Sequence, residues 1–187
     1  LRREAAQRAA HIALAQALQG AIPQLAHALT RDAKHRSDLL ERVFAATLEQ
    51  MVALAVLMPI IASVGGNTGN QTIALFVRGL ALDQIKGGNM RFLLRKELSI
   101  GLINGALWGA VLGLVAALFY EDIGLGLVMM AAMILNLLVG AMVGALVPLV
   151  AVRLGRDPAV GSSVLLTFTT DSMGFFIFLG LATVFLL

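Results

Sequence analysis

Gly65-Gly66-Asn67-Thr68-Gly69-Asn70-Gln71-Thr72 follows directly on the apolar run 51–64. Amides, hydroxyls and bare glycine backbone therefore sit at or inside a bilayer. Unsatisfied polar backbone in hydrocarbon costs several kcal/mol per group, so such a segment survives only where it lines a cavity or packs against protein. Its oxygens are the ligand type of hard cations. The stretch reads as part of an ion pathway, the alternative being a break between two spans. Pro59, six residues upstream, removes one helix donor and is expected to loosen the backbone before it. No Lys follows the glycines, so a phosphate loop is excluded.

The flanking sequence sets the class. Hydrophobic residues make up 59% of the chain and charged residues 13%, with mean hydropathy +0.88. Soluble domains carry about 25% charged residues. Residues 51–77, 98–120, 123–152 and 159–170 hold no Asp, Glu, Lys or Arg, and the last run continues past Asp171 to the end. A spanning helix needs about 20 such residues. The expectation is an all-α, polytopic transmembrane helix bundle with four strong spans.

Residues 1–42 differ and are set apart as an N-terminal helical segment from a pore domain over 43–187. Leu14, Leu18, Ile22, Leu25 and Leu29 recur at helical spacing among Gln16, Gln19, Gln24 and His27, with Pro23 expected to kink the helix. Composition favours an amphipathic helix at the interface or against the bundle; a weakly apolar span shielded by partners is the alternative. Thr30 to Arg36 reads as a charged turn. The chain begins with Leu1 rather than Met and is expected to be a piece of a longer protein.

The net charge of +3 reflects basic loops rather than nucleic-acid binding. Lys86, Arg91, Arg95 and Lys96 make one loop basic, Glu121 and Asp122 the next acidic, and Arg153 and Arg156 the third basic. The positive-inside rule puts 83–97 and 153–158 in the cytoplasm and 120–123 outside. There is no cysteine, hence no disulfide or thiolate site. His11, His27 and His35 are too scattered to suggest a metal centre.

Asp171 lies about 18 Å into the last apolar run at 1.5 Å per residue. An intramembrane carboxylate is a functional-site hypothesis by default. Thr167, Thr170 and Gly174 sit three or four residues away and add hydroxyl or carbonyl oxygens. With Gly66, Asn67, Gly69 and Asn70 they form the candidate cation-ligand set. Glu49 lies near the end of its span and reads as a mouth or interfacial residue. Gly101, Gly105, Gly109 and Gly113 form a ridge that lets another helix approach closely, Gly140 and Gly144 a shorter one, and Trp108 reads as packing. Asn104 and Asn136 read as interhelical hydrogen bonds. An intramembrane aspartyl protease would need a second deep carboxylate beside Asp171, and none is expected, so the chain does not read as an enzyme.

Several motifs together resemble the membrane domain of the MgtE magnesium transporters. They are Val52-Ala53-Leu54-Ala55 with Pro59, Gly65 to Gln71, Arg78-Gly79-Leu80-Ala81, Arg153-Leu154-Gly155-Arg156-Asp157-Pro158-Ala159, and Thr170-Asp171 with Gly174-Phe175-Phe176. The resemblance covers about residues 43–187. It implies a homodimeric Mg²⁺ channel of a bacterial plasma membrane, with five helices per subunit and a pore at the dimer interface. The pore acid falls on Asp171 and the glycine/asparagine pore segment on Gly65 to Gln71. Magnesium is then both cargo and pore ligand, and the bilayer and a second copy are the partners. The family's first helix is strongly apolar where residues 1–42 are not, and Ser163 stands where some members have Asn. Cytoplasmic Mg²⁺-sensing domains are expected in the full-length protein. A proton- or sodium-coupled secondary transporter is the alternative function.

Overall fold

The computed structural model describes residues 2–85 and 89–186; of these, the side chains of residues 2–22, 25–29 and 32–33 are not described. The stripe expected at Leu14, Leu18, Ile22, Leu25 and Leu29 therefore lies outside the described residues. Among the described residues the regular structure is entirely helical: α1 (Arg2–Ala81), α2 (Met90–Phe119), α3 (Ile123–Arg153) and α4 (Ser162–Phe185). Among the described residues four helices are long and apolar enough to cross a membrane, the first of them over Lys34–Ala81. The all-α transmembrane bundle expected from composition is the fold observed.

The chain divides into two compact units, Leu1–Met51 and Val52–Leu187. In the first, one expectation is corrected. Thr30 to Arg36 is helix, not a turn. Arg, Ala and Lys are good helix formers, and no Gly or Pro stands there to stop the helix. Ser37 and Thr47 return their hydroxyls to the carbonyls of Lys34 and Val43 and stay helical. Pro23 too lies within α1, its side chain exposed.

In the second unit α3 is the central element. Of its most apolar window 44% is buried, against 22% for α2 and for α4. Side-chain volume decides how closely helices meet in lipid, where association rests on packing rather than on the hydrophobic effect. The stripe Gly101, Gly105, Gly109, Gly113 and Ala116 is the buried face of α2. A Cβ on Gly101 would stand 3.2 Å from the Leu137 carbonyl oxygen, and one on Gly109 2.9 Å from that of Met130. The ridge thus packs against α3 of the same chain. On the neighbouring face, a Cβ on Gly140 would meet the Gly65 carbonyl oxygen at 2.6 Å, and one on Gly144 that of Gly69 at 2.6 Å. The second ridge receives α1.

The connections are tight. Asp122 caps α3, its carboxylate accepting from the Leu125 amide at 3.2 Å. Gly155 and Gly161 take left-handed backbone at φ 67° and 76°, where a side chain would be strained. Between them Asp157 accepts from the Ala159 amide at 2.8 Å, and Ser162 donates to the Pro158 carbonyl.

A test of the α2–α3 contact follows. In Gly105→Val the new Cβ would fall 2.8 Å from the Ile134 Cα, a backbone atom that cannot swing away. The variant should lose about 1–3 kcal/mol of unfolding free energy in detergent micelles. Gly180→Ala, with nothing within 4 Å of its added Cβ, should lose none. Equal losses at both positions would show that the ridge is not buried.

Candidate cation groove

The glycine/asparagine stretch is helical throughout and is not a break between two spans: α1 runs unbroken through Pro59 and residues 65–72. Its polar residues present side chains from an intact helix. Glycine lowers helix propensity by about 1 kcal/mol per residue, a cost that close packing offsets here.

Helical geometry splits the motif between two faces. Gly65 and Gly69 turn inward; a Cβ on Gly69 would sit 2.6 Å from Leu166 Cδ1 and 2.9 Å from the Gly140 carbonyl oxygen. Gly66, Asn67 and Asn70 turn towards α4, Gly66 buried and the two amides open, with Pro59, Ala62 and Ser63 above them on α1. They form one wall of an open groove of about 350 Å³, whose other wall is Thr167, Asp171 and Phe175 of α4. The walls run antiparallel: Asn70 faces Ser163, whose hydroxyl donates to Asn70 Oδ1 at 2.8 Å, and Gly66 faces Thr170. On α4 the residues Ser163, Thr167, Asp171 and Phe175 recur every four positions, so the acid lies about 12 Å along the axis from the Ser163–Asn70 bond.

Of the candidate ligands, Asp171, Asn67, Gly66, Asn70 and Thr167 line this groove. Gly69, Thr170 and Gly174 stand behind it. Thr170 is fully buried, its hydroxyl donating to the carbonyls of Leu166 at 3.0 Å and Thr167 at 3.2 Å. Gly174 is a notch for Asn136, whose Nδ2 would lie 2.9 Å from an added Cβ. Ser63, one turn before Asn67, is a groove residue that sequence reasoning missed; its spacing from Asn67 carries the signal.

Asp171 is half-buried, the only charged side chain in the groove, and without hydrogen bond or ion pair among the described residues. No three His, Cys, Asp or Glu gather among those residues. The site therefore suits an ion that keeps most of its water. Six waters at about 30 Å³ each occupy roughly 180 Å³, within the groove's volume.

Asn136 ties the walls to α3. Its amide is completely buried, donates from Nδ2 to the Ile61 carbonyl at 2.9 Å, and leaves Oδ1 without a partner among the described residues. It occupies the space between Gly65 and Gly174. Another acid falls in a helix where the loop 83–97 was expected. Glu97, 8% exposed, continues the glycine ridge of α2 one turn towards its start and accepts from Thr72 Oγ1 at 3.1 Å. It is not among the groove residues, so it forms no dyad with Asp171.

The fold and groove define a multi-pass helical membrane protein with a polar, acid-bearing groove open along its side. The family profile described as a divalent cation transporter, MgtE, matches residues 58–181. The magnesium transporter MgtE of Bacillus subtilis is 32% identical over 143 residues, 76% of this chain and 32% of its own length. The magnesium transporters MgtE of Enterococcus faecalis and Thermus thermophilus are 32% and 33% identical, over 71% and 76% of this chain and 29% and 32% of their own lengths. The chain belongs to the MgtE family. It spans about a third of the length of these relatives.

Truncating Asn136 should loosen the groove from behind. Asn136→Ala removes the bond to Ile61 and empties the space between Gly65 and Gly174, at a cost of about 1–3 kcal/mol in micelle unfolding. An unchanged midpoint would show that the amide contributes nothing to holding α1 against α3.

Proposed function

We propose that this chain is the membrane part of a Mg²⁺ channel whose pore forms where two copies face each other. The observation that carries the reading is the groove with its unpaired acid. In a single chain Asp171, Asn67, Ser63 and Thr167 are exposed or half-exposed along the side of an otherwise apolar bundle. Amides, hydroxyls and a carboxylate facing lipid are costly, so such a face turns towards protein or water. A second copy related by a twofold axis would bring two grooves together around water and two carboxylates to one axis. Two negative charges balance one divalent ion. Amide and hydroxyl oxygens replace part of its outer hydration, an arrangement weak enough to release it. The names of the three relatives support magnesium as cargo. Residues 43–187 then form the pore domain, in the plasma membrane of a bacterium, with the basic segments 83–97 and 153–158 on the cytoplasmic side. The work is transport, not catalysis.

Asp171→Asn removes the charge while keeping the shape. In liposomes loaded with a Mg²⁺-sensitive dye it should reduce influx at least about tenfold, without changing elution from a sizing column. Wild-type influx through folded Asp171→Asn protein would sink the assignment. Gly66→Leu, which fills the groove from the α1 wall, should also block. Running the wild-type assay with and without a proton or sodium gradient separates a channel from a coupled carrier. A channel's influx follows the Mg²⁺ gradient and membrane potential alone.

A further inference from the structure

We infer that the basic end of the bundle holds the headgroup of an anionic phospholipid, in a cavity between the end of α1 and the start of α2. The cavity measures about 510 Å³, within the usual range of about 300–1,000 Å³ for small-molecule sites. It is lined by Arg78 in the last turn of α1, by Gln84 from the connection, and by Asn89 immediately before α2. The rest of the wall is chiefly apolar, with Leu75, Phe92 and Leu93.

The polar groups are available. Arg78, Gln84 and Asn89 have no side-chain hydrogen bond or ion pair among the described residues, and Asn89 makes no capping bond although it occupies the N-cap position of α2. Among the described residues no carboxylate lines the cavity. One guanidinium and two amides converging on a space without a counter-charge suit a phosphate diester, which a guanidinium grips with paired N–H donors.

The apolar wall selects lipid over free phosphate. Phe92 is 73% exposed and Leu75 40% exposed, so the cavity opens beside side chains suited to acyl chains. Arg78 projects from the end of a spanning helix, where a long basic side chain reaches from the hydrocarbon edge to the headgroup layer. Arg91, Arg95 and Lys96 are exposed on the first turns of α2 and enrich anionic lipid around this end without lining the cavity. The inference rests on the chain spanning a bilayer and is independent of magnesium as cargo.

The test is native mass spectrometry of the purified protein in micelles containing equal amounts of phosphatidylglycerol and phosphatidylcholine. Wild type should retain phosphatidylglycerol in preference. Arg78→Gln should reduce that preference about tenfold, as loss of a charge-assisted contact does. Arg91→Gln, outside the cavity, should keep it. Retention of the wild-type preference by Arg78→Gln would overturn the site. An equal loss in Arg91→Gln would replace it with diffuse surface charge. Displacement of phosphatidylglycerol by millimolar inorganic phosphate would overturn the lipid assignment in favour of a free-anion site. Both variants alter exposed side chains, so comparable elution is expected, and Mg²⁺ flux plays no part in the readout.

Discussion

Backbone-to-backbone contact on α3 is the constraint on which the second unit depends. Lipid tails are as apolar as leucine, so two helices gain little by exchanging lipid contacts for each other unless they approach closely enough to multiply dispersion contacts. Glycine permits that approach. On one side of α3, α2 contributes its every-fourth-residue glycine stripe. On another, Gly65 and Gly69 of α1 meet Gly140 and Gly144 at distances where any side chain would collide with a carbonyl. The fourth helix meets α3 where Gly174 leaves room for Asn136. A glycine-rich helix is intrinsically weak in water, but in a bilayer unravelling would leave backbone groups unpaired, so the helices persist and the glycines cost little.

This packing explains how one short motif serves two purposes. In the stretch 65–72 the inward residues fix the distance between α1 and α3, while Gly66, Asn67 and Asn70 are carried outward on the same turns into the groove. Asn136 extends the coupling. By hydrogen-bonding Ile61 and filling the space between Gly65 and Gly174, it holds both groove walls from behind. The spacing between the amides of α1 and the acid of α4 is thus set by buried contacts behind the groove. Precise placement of a polar group needs such support, since a side chain free to swing would bind ions in many weak geometries.

Much of this was legible before the structure. Uncharged runs of spanning length fixed the class, and an acid deep in the last of them drew attention to Asp171. What escaped reading was the side of the helix on which each residue falls. Gly65, Gly66 and Gly69 look equivalent in a row; rotation of about 100° per residue sends Gly66 to the groove and the other two to α3. Thr170 and Gly174 stand beside Asp171 in sequence but face inward for the same reason. Glu97 was hidden differently. It follows Arg95 and Lys96 in what reads as a charged connection, yet α2 begins at Met90 and already carries Glu97 on its buried face. Charge marked a loop where a helix turn had turned the acid inwards.

Two acids of the second unit, Glu97 and Asp171, stand in contrast. Glu97 is enclosed by protein, paired with the hydroxyl of Thr72, and aligned with the glycine stripe that seats α2 on α3. A carboxyl group so placed is satisfied locally and has a structural part in joining α2 to α1. Asp171 is half-open, pairs with no described residue, and shares its groove with neutral oxygen-bearing side chains. Burial without a partner is expensive for a charge, and exposure to lipid more so. Its position is stable only where water, a cation or a second protein surface completes it. That requirement is what separates Asp171 from Glu97, and it falls on the acid that shares a groove with the amides of the glycine/asparagine stretch.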